Sequence, residues 1–256
     1  MPTIVRHLRL AILSDIHSNL PALEAVLEQV QGADVDETWC LGDVVGYGAQ
    51  PNECAALVRE RCSLSLVGNH DLAALDRLDI STFSPAAAAA VRWTREAMSP
   101  QTTEFLSGLE PAAESADLAL YHASPRDPVW EYVLWPDQAA ECIRVQSSRV
   151  SLVGHSHVAL FFALAAGADG GRAGEARGAQ AGAGTSLEVG RGRWLINPGS
   201  VGQPRDGDPR AAWLELDTDA WKAGFHRVAY DIDRAADAIV ASELPEHLAR
   251  RLYVGQ

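Results

Sequence analysis

The sequence predicts an α/β fold, and three observations carry that expectation. Short apolar runs alternate with segments of helical periodicity through residues 8–70. Polar residues rich in Asp and His recur at the ends of successive strand candidates. The 256 residues, 47% of them hydrophobic, suffice to bury a substantial core. One domain spanning residues 1–256 is expected, with no internal repeat.

The first strand candidate is "LRLAIL", residues 8–13, which ends at Ser14 and Asp15. A helix follows in "NLPALEAVLEQV": Leu20, Leu23, Val26, Leu27 and Val30 recur at helical spacing, Asn19 is placed to cap it, and Pro21 suits the first turn. "TWCLGDVV" and "SLSLVGNH" read as strands separated by the helical "PNECAALVRERC". Pro85–Met98 is alanine-rich and helical by propensity, and "TTEFLSGL" makes a further short helix. "ADLALYHAS", "RVSLVGHSH", "VALFFAL", "RWLINPGS", "AAWLELD" and "FHRVAYDI" complete the strand candidates. Several are separated by too little chain for a helical crossover, so the second half is expected to be more antiparallel than the first. Residues 167–184 are rich in Gly and Ala without a periodic apolar face and read as a flexible hairpin tip or loop insertion. No Gly-Lys-Ser/Thr follows to make them a phosphate-binding P-loop.

Composition narrows the function. The formal charge of −13 disfavours stable binding to nucleic acid, which draws its affinity from lysine and arginine on phosphates. Bound divalent cations would reverse that sign locally, so phosphate substrates stay open. No apolar run approaches the ~20 residues needed to cross a bilayer, and the N-terminal segment lacks a small-residue cleavage site. A soluble, cytoplasmic protein with no membrane partner is expected. Cys40, Cys54, Cys62 and Cys142 show no CxxC spacing, so reduced thiols are expected and any metal would use nitrogen and oxygen donors.

In "LVGHSH", residues 152–157, His155 and His157 stand two apart after an apolar run. On an extended backbone such residues project to the same side, so both imidazoles can reach one ion. Alone, the pair reads equally well as two solvated histidines at a glycine turn. Similar blocks lie elsewhere: Asp15 and His17 in "SDIH", Asp43 in "LGDVV", Asn69, His70 and Asp71 in "VGNHD", and His122 in "YHAS". Each has an ordinary alternative, such as a helix cap for Asp15, a glycine turn for Asp43 or a satisfied core histidine for His122. Together they hold five of the eight histidines, all at strand ends, where an α/β sheet gathers distant segments around a ligand.

Taken in order, these blocks resemble the calcineurin-like metallophosphoesterases, whose pattern is DxH, GD, GNH(D/E), a lone His and GHxH. The strings "SDIHSNLPALEAVL", "GDVVGYGAQPNEC" and "NPGSVGQPRDGD" are similar to the compact bacterial phosphodiesterase branch, which extends the resemblance over most of residues 8–217. The resemblance implies a four-layer α/β/β/α sandwich, with two central mixed sheets flanked by helices and a dinuclear metal centre between them. Asp15, His17 and His157 are thereby implied to hold one cation and Asn69, His122 and His155 the second. Asp43 would bridge the two, giving one carboxylate oxygen to each. Such donors suit Mn2+, the ion expected here, and also Fe, Zn2+ or Ni2+. The implied chemistry is phosphate-ester hydrolysis by a hydroxide bridging the cations, with His70 as general acid and Asp71 orienting its imidazole. Two divalent cations, two carboxylates and a hydroxide leave about one positive charge, which suits a phosphodiester and a monoester alike.

Two stretches extend the expected site toward substrate. "SPRDPVWEYVLWP" carries Trp130, Tyr132 and Trp135, readable as a wall for a nucleobase or aryl group, or as packing or a subunit contact. In "NPGSVGQPRDGD", Pro198, Gly199 and Gly202 mark a tight turn, and Arg205 is either a phosphate contact or a surface ion-pair partner of Asp206 and Asp208. The expected partner is a small phosphate ester, nucleotides included, and a homo-oligomer is left open. A phosphodiesterase is preferred because the compact chain lacks a large cap. The alternatives within the enzyme class are a phosphomonoesterase, a phosphoprotein phosphatase or a dinucleoside polyphosphate hydrolase. Outside it stands a metal-binding interaction scaffold, disfavoured by the intact ligand set and His70. A serine hydrolase read from "GHSHV" fails, because Val158 stands where a nucleophile elbow needs glycine.

Overall fold

Two six-stranded sheets face each other in the computed structural model, which describes residues 8–114, 117–164 and 174–256. The strands are β1 (Arg9–Leu13), β2 (Glu37–Cys40), β3 (Leu64–Ser65), β4 (Ala112–Glu114), β5 (Leu118–Tyr121), β6 (Val150–Leu152), β7 (Leu160–Leu164), β8 (Ala176–Gln180), β9 (Ser186–Glu188), β10 (Arg193–Asn197), β11 (Ala211–Asp217) and β12 (Lys222–Val228). The helices are α1 (Leu20–Gly32), α2 (Pro51–Arg61), α3 (Asn69–Ala74), α4 (Pro85–Ala97), α5 (Pro100–Ser107), α6 (Pro136–Val145), α7 (Ile232–Ala241) and α8 (Glu246–Arg250). The sheet orders are β3-β2-β1-β11-β12-β9 and β4-β5-β6-β10-β7-β8. The pairs β1–β2, β2–β3, β5–β6 and β6–β10 are parallel, whereas β7–β8, β7–β10, β9–β12 and β11–β12 are antiparallel, so antiparallel pairing prevails in the second half.

Alternation along β1 builds both sides of the first sheet. Leu10 and Ile12 point between the sheets, where they join Leu118, Leu152, Ile196 and Leu214, while Ala11 and Leu13 face Leu23, Val26, Cys54 and Val58 of α1 and α2. On the outer face of the second sheet, Tyr121, Leu160, Phe162 and Leu195 pack on Ala139, Cys142 and Ile143 of α6. The layers therefore run helix, sheet, sheet, helix, and each buried leucine among them contributes roughly 2 kcal/mol. A smaller cluster of Ala90, Ala235, Ile239, Leu248 and Leu252 seats α7 and α8 beside Tyr47 and Ala49. Among the described residues, no helix is long and apolar enough to cross a membrane.

Several elements differ from their expected extent. Residues 38–45 leave the sheet after Cys40 because Gly42 (φ +98°) and Asp43 (φ +53°) turn the chain, and residues 63–70 form a two-residue strand followed by α3. Residues 225–232 end as strand at Val228, and Asp231 caps α7 by accepting the Arg234 N–H at 2.9 Å. Helices α6 and α7 are additions to the expected set; their buried faces are small and alanine-rich, with Ala139, Ala140 and Ile143 in one and Ala235, Ala236 and Ile239 in the other. Part of the expected 167–184 loop is strand β8, which pairs with β7 from Leu164↔Ala176 to Leu160↔Gln180. This ladder needs backbone bonds rather than apolar alternation, and a Cβ at Gly178 would come within 1.9 Å of the Phe161 carbonyl oxygen. Residues 167–173 of that loop lie outside the described residues.

Candidate metal centre

The chain turns sharply where the strands of both sheets end. Asp15, His17, Asp43, His155 and His157 all adopt left-handed backbone conformations, with φ between +50° and +64°. Each such non-glycine residue costs of order 1 kcal/mol, so the surrounding structure must over-determine them. It does so through bonds between loops: Asp15 N–H to Gly42 O and His17 N–H to Asp43 O, both 3.0 Å, and Gly154 N–H to His122 O at 2.8 Å. The loop that begins at Asn197 adds more. Asn197 Nδ2 donates to Gly154 O at 2.6 Å, Ser200 Oγ to Asp15 O at 2.7 Å, and Gly202 N–H to Asp15 O at 3.0 Å. Packing is close enough that a Cβ at Gly68 would lie 2.1 Å from Asp43 Oδ1.

These turns bring the expected ligands together. Asp15, His17, Asp43 and His157 offer atoms within 4.8 Å of one another, as do Asp43, His122 and His155, and all six residues are buried. Asn69 joins the second group with its Oδ1 3.1 Å from His122 Nε2. Asp43 belongs to both groups, but its two oxygens do not divide between them as expected. Oδ1 accepts the His70 N–H at 2.8 Å, whereas Oδ2 lies 3.5 Å from Nε2 of both His17 and His122 and has no hydrogen-bond partner. A single oxygen thus faces both halves of the site, because the α3 N-terminus claims the other.

Outer contacts fix which ring nitrogens face inward. Nδ1 of His17, His122 and His157 lies 3.1, 2.9 and 2.6 Å from the carbonyls of Val45, Leu41 and Gln203, which makes each Nδ1 a donor and turns each Nε2 toward the site. His155 is reversed: Nε2 meets the Trp130 carbonyl at 3.2 Å and Nδ1 is presented. His17 and His157 therefore aim two lone pairs at each other across 3.0 Å, with Asp15 Oδ1 3.4 Å from His157 Nε2. Three buried acceptors converging in this way repel one another unless cations or protons lie among them. Buried nitrogen and oxygen donors with no sulfur suit divalent cations of the manganese, iron, nickel and zinc type, so the residues fit a metal.

Electrostatics agree with that reading. Burial pushes His17 and His157 well below the ordinary histidine range and takes His155 down to about 3, so these imidazoles are neutral and available as ligands. Burial also raises Asp15 to about 7, with Asp43 adding to the effect. At His122 burial opposes protonation, but Asp43 and Asp15 outweigh it and raise the group to about 9. Stability from His122 is thus fully present below its unfolded value of about 6.5 and is lost as pH rises through about 9. Asp15 has the same sign and is complete by about 7. Chelated protein is therefore expected to show a melting temperature that falls between pH 7 and 9. Mn2+-loaded protein, in which cations take the place of those protons, should show a flatter profile. Parallel profiles would contradict this.

The remaining expected site residues divide. His70 borders the centre, its ring centroid 5.0 Å from that of His17, and its Nδ1 is buried without a partner. Asp71 does not orient that ring. Its carboxylate accepts the backbone N–H groups of Val44, Val45 and Gly68 at 3.2, 2.9 and 3.0 Å, tying the Asp43 turn to the start of α3. Tyr132 lies against His155 with ring centroids 4.0 Å apart, and the Trp130 ring is 6.4 Å from His155. Two residues missed in the sequence complete the rim: Tyr47, 4.3 Å from the His70 ring, and Phe83, 5.1 Å from it and 5.4 Å from Trp130. The "GYG" turn offered a hint of Tyr47, whereas nothing in "ISTFSP" marked Phe83. Arg205 donates its backbone N–H to His157 O at 3.0 Å, which places it at the same rim.

Comparison with known proteins supplies independent findings. A family model described as the calcineurin-like phosphoesterase superfamily domain matches residues 8–219. An uncharacterised protein of Methanocaldococcus jannaschii is 37% identical over 258 residues, covering 96% of this chain and 98% of that protein. A crystal structure of a metallophosphoesterase from Sphaerobacter thermophilus superimposes with a TM-score of 0.86 at 38% identity, covering 98% of this chain and 100% of the other. A hypothetical protein from Pyrococcus horikoshii shares the fold at 21% identity, with a TM-score of 0.76 over 97% of this chain and 98% of its own.

Proposed function

Since this chain belongs to the calcineurin-like phosphoesterase superfamily and is a metal-dependent phosphoesterase, we propose that it hydrolyses phosphodiesters at a pair of divalent cations, Mn2+ foremost. Asp15, His17 and His157 would hold one cation, Asn69, His122 and His155 the other, and Asp43 Oδ2 would serve both. The observation that carries this reading is the position of that oxygen, buried without a hydrogen-bond partner and equidistant, at 3.5 Å, from imidazole nitrogens of the two groups. Bound cations supply neutralisation of the phosphoryl charge and acidified water at neutral pH.

The chain's own residues do the rest. His70 would donate a proton to the leaving oxygen from its ring. Burial lowers His70 to about 4, and the negative charge of a bound phosphate acts in the opposite direction. Asp71 acts by holding the Asp43 turn against α3. The rim of Phe83, Trp130 and Tyr132 offers a surface for the second esterified group, which supports a diester over a monoester. Within this reading the chain works as one domain in the cytoplasm on a small phosphate ester.

The test is to strip the protein with chelator, restore Mn2+, Fe2+, Zn2+, Ni2+ or Mg2+ separately, and compare turnover of a bis-aryl phosphate, an aryl phosphate and cyclic nucleotides. Mn2+ is expected to restore the most activity, with the diester cleaved fastest. Faster monoester cleavage under every metal would overturn the diester assignment.

A further inference from the structure

Arg205 makes no ion pair among the described residues, although two carboxylates adjoin it in sequence. Asp206 is taken by Arg227, with both side chains almost fully buried, and Asp208 is held by Arg210 at 2.6 Å. The Arg205 guanidinium donates to Gln203 Oε1 at 2.9 Å, while its Nε is buried without any partner. Its Cζ stands 5.7 Å from the centroid of the Tyr47 ring.

A second arginine reaches the same ring from the far end of the chain. Arg251, which opens a 3-10 turn spanning Arg251–Tyr253, places its Cζ 6.0 Å from the Tyr47 centroid and donates Nε–H to the Gln256 carbonyl. That oxygen belongs to the last residue of the chain, and among the described residues no Asp or Glu side chain pairs with Arg251. The segment is held in place by Leu248 and Leu252, buried against Ala235 and Ile239, and by the Gly207 N–H bonded to Gly255 O at 3.0 Å. Burial lowers Arg251, and the charge of Arg205 adds to that effect. Two guanidinium groups stand by one ring, Arg205 without any ion pair and with a buried Nε that lacks an acceptor, so an anion beside Tyr47 would relieve their repulsion and satisfy that donor. Tyr47 itself lies 4.8 Å from the His17 ring, so this anion would border the metal centre.

We propose that Arg205 and Arg251 form a second phosphate subsite beside the metal centre, receiving a further phosphate group of the substrate. The proposal rests on the reading that the reacting phosphate sits at the cations. Guanidinium recognises phosphate through paired N–H donors, and the nearby rings of Phe83, Trp130 and Tyr132 make adenosine phosphates suitable probes.

Calorimetric titration of Mn2+-loaded protein with adenosine 5′-monophosphate, adenosine 5′-diphosphate and adenosine 3′,5′-bisphosphate tests it. At least one doubly phosphorylated ligand is expected to bind about 10- to 100-fold more tightly than the monophosphate. Which one does so tells whether the second phosphate is contiguous with the first or lies across the ribose. In Arg251→Ala and Arg251→Gln that ratio should fall toward one, and in Arg251→Lys it should be partly retained, with melting temperatures reporting folding. Equal affinity for all three ligands in the native protein, or a ratio unchanged in the folded variants, would overturn the subsite. A preserved preference in protein that takes up no cation would support the subsite and contradict the metal reading.

Discussion

Asp43→Ala is expected to release both cations together and to reduce phosphoester turnover to background. Every other ligand serves one half of the site, whereas Asp43 Oδ2 faces His17 on one side and His122 on the other at 3.5 Å. Removing it withdraws the one carboxylate common to both groups, leaving Asp15 to serve the first alone. Enzymatic rate enhancements are typically ~10⁶-fold or more, so the loss should span most of that range. Thermal stability supplies a second readout. Each cation at a hundredfold excess over its dissociation constant stabilises a folded protein by about 2.7 kcal/mol, which for a chain of this size is a shift of roughly 5–10 °C per site. Addition of Mn2+ should produce that shift in the native protein and not in Asp43→Ala. Asp43→Asn, which preserves shape and removes the charge, should behave like the alanine variant; full metal content in either would contradict the bridging role.

His70→Ala is expected to separate chemistry from metal binding. Both cations should remain at native stoichiometry while turnover falls by ~10²- to 10⁴-fold, the usual worth of a general acid. The geometry predicts this separation because His70 belongs to neither ligand group and reaches Asp43 only through its backbone N–H, which alanine retains at 2.8 Å from Oδ1. A leaving group that needs no protonation, such as a nitrophenolate, should lose less than an alkoxide. Loss of metal together with activity would show that His70 holds the centre together instead.

The seven residues proposed as ligands were legible in the sequence because each sits at the end of an apolar run, where periodicity places a strand terminus, and because together they match one family's order. Their roles in detail were less legible. Asp71 follows His70 directly and was expected to steer its ring, but α3 begins at Asn69, and its first turn carries the carboxylate back toward the N–H groups of Val44, Val45 and Gly68. The division of Asp43's oxygens was equally hidden, since it depends on a backbone N–H that only the three-dimensional turn supplies. Arg251 belongs to no motif and reaches Tyr47 only because an alanine-faced helix pair folds the C-terminal segment over residues 47–49. Arg205 was read as a possible partner of its own neighbours, and no local pattern could show that Arg227 and Arg210 had already claimed them.

The central claim is that two cations share Asp43. Elemental analysis of Mn2+-reloaded protein, joined to anomalous scattering from its crystals, tests it most directly. Two manganese ions per chain are expected, both in contact with the Asp43 carboxylate, one beside His17 and His157 and the other beside His122 and His155. A single ion, or none after soaking, or ions bound elsewhere with Asp43 untouched, would contradict it.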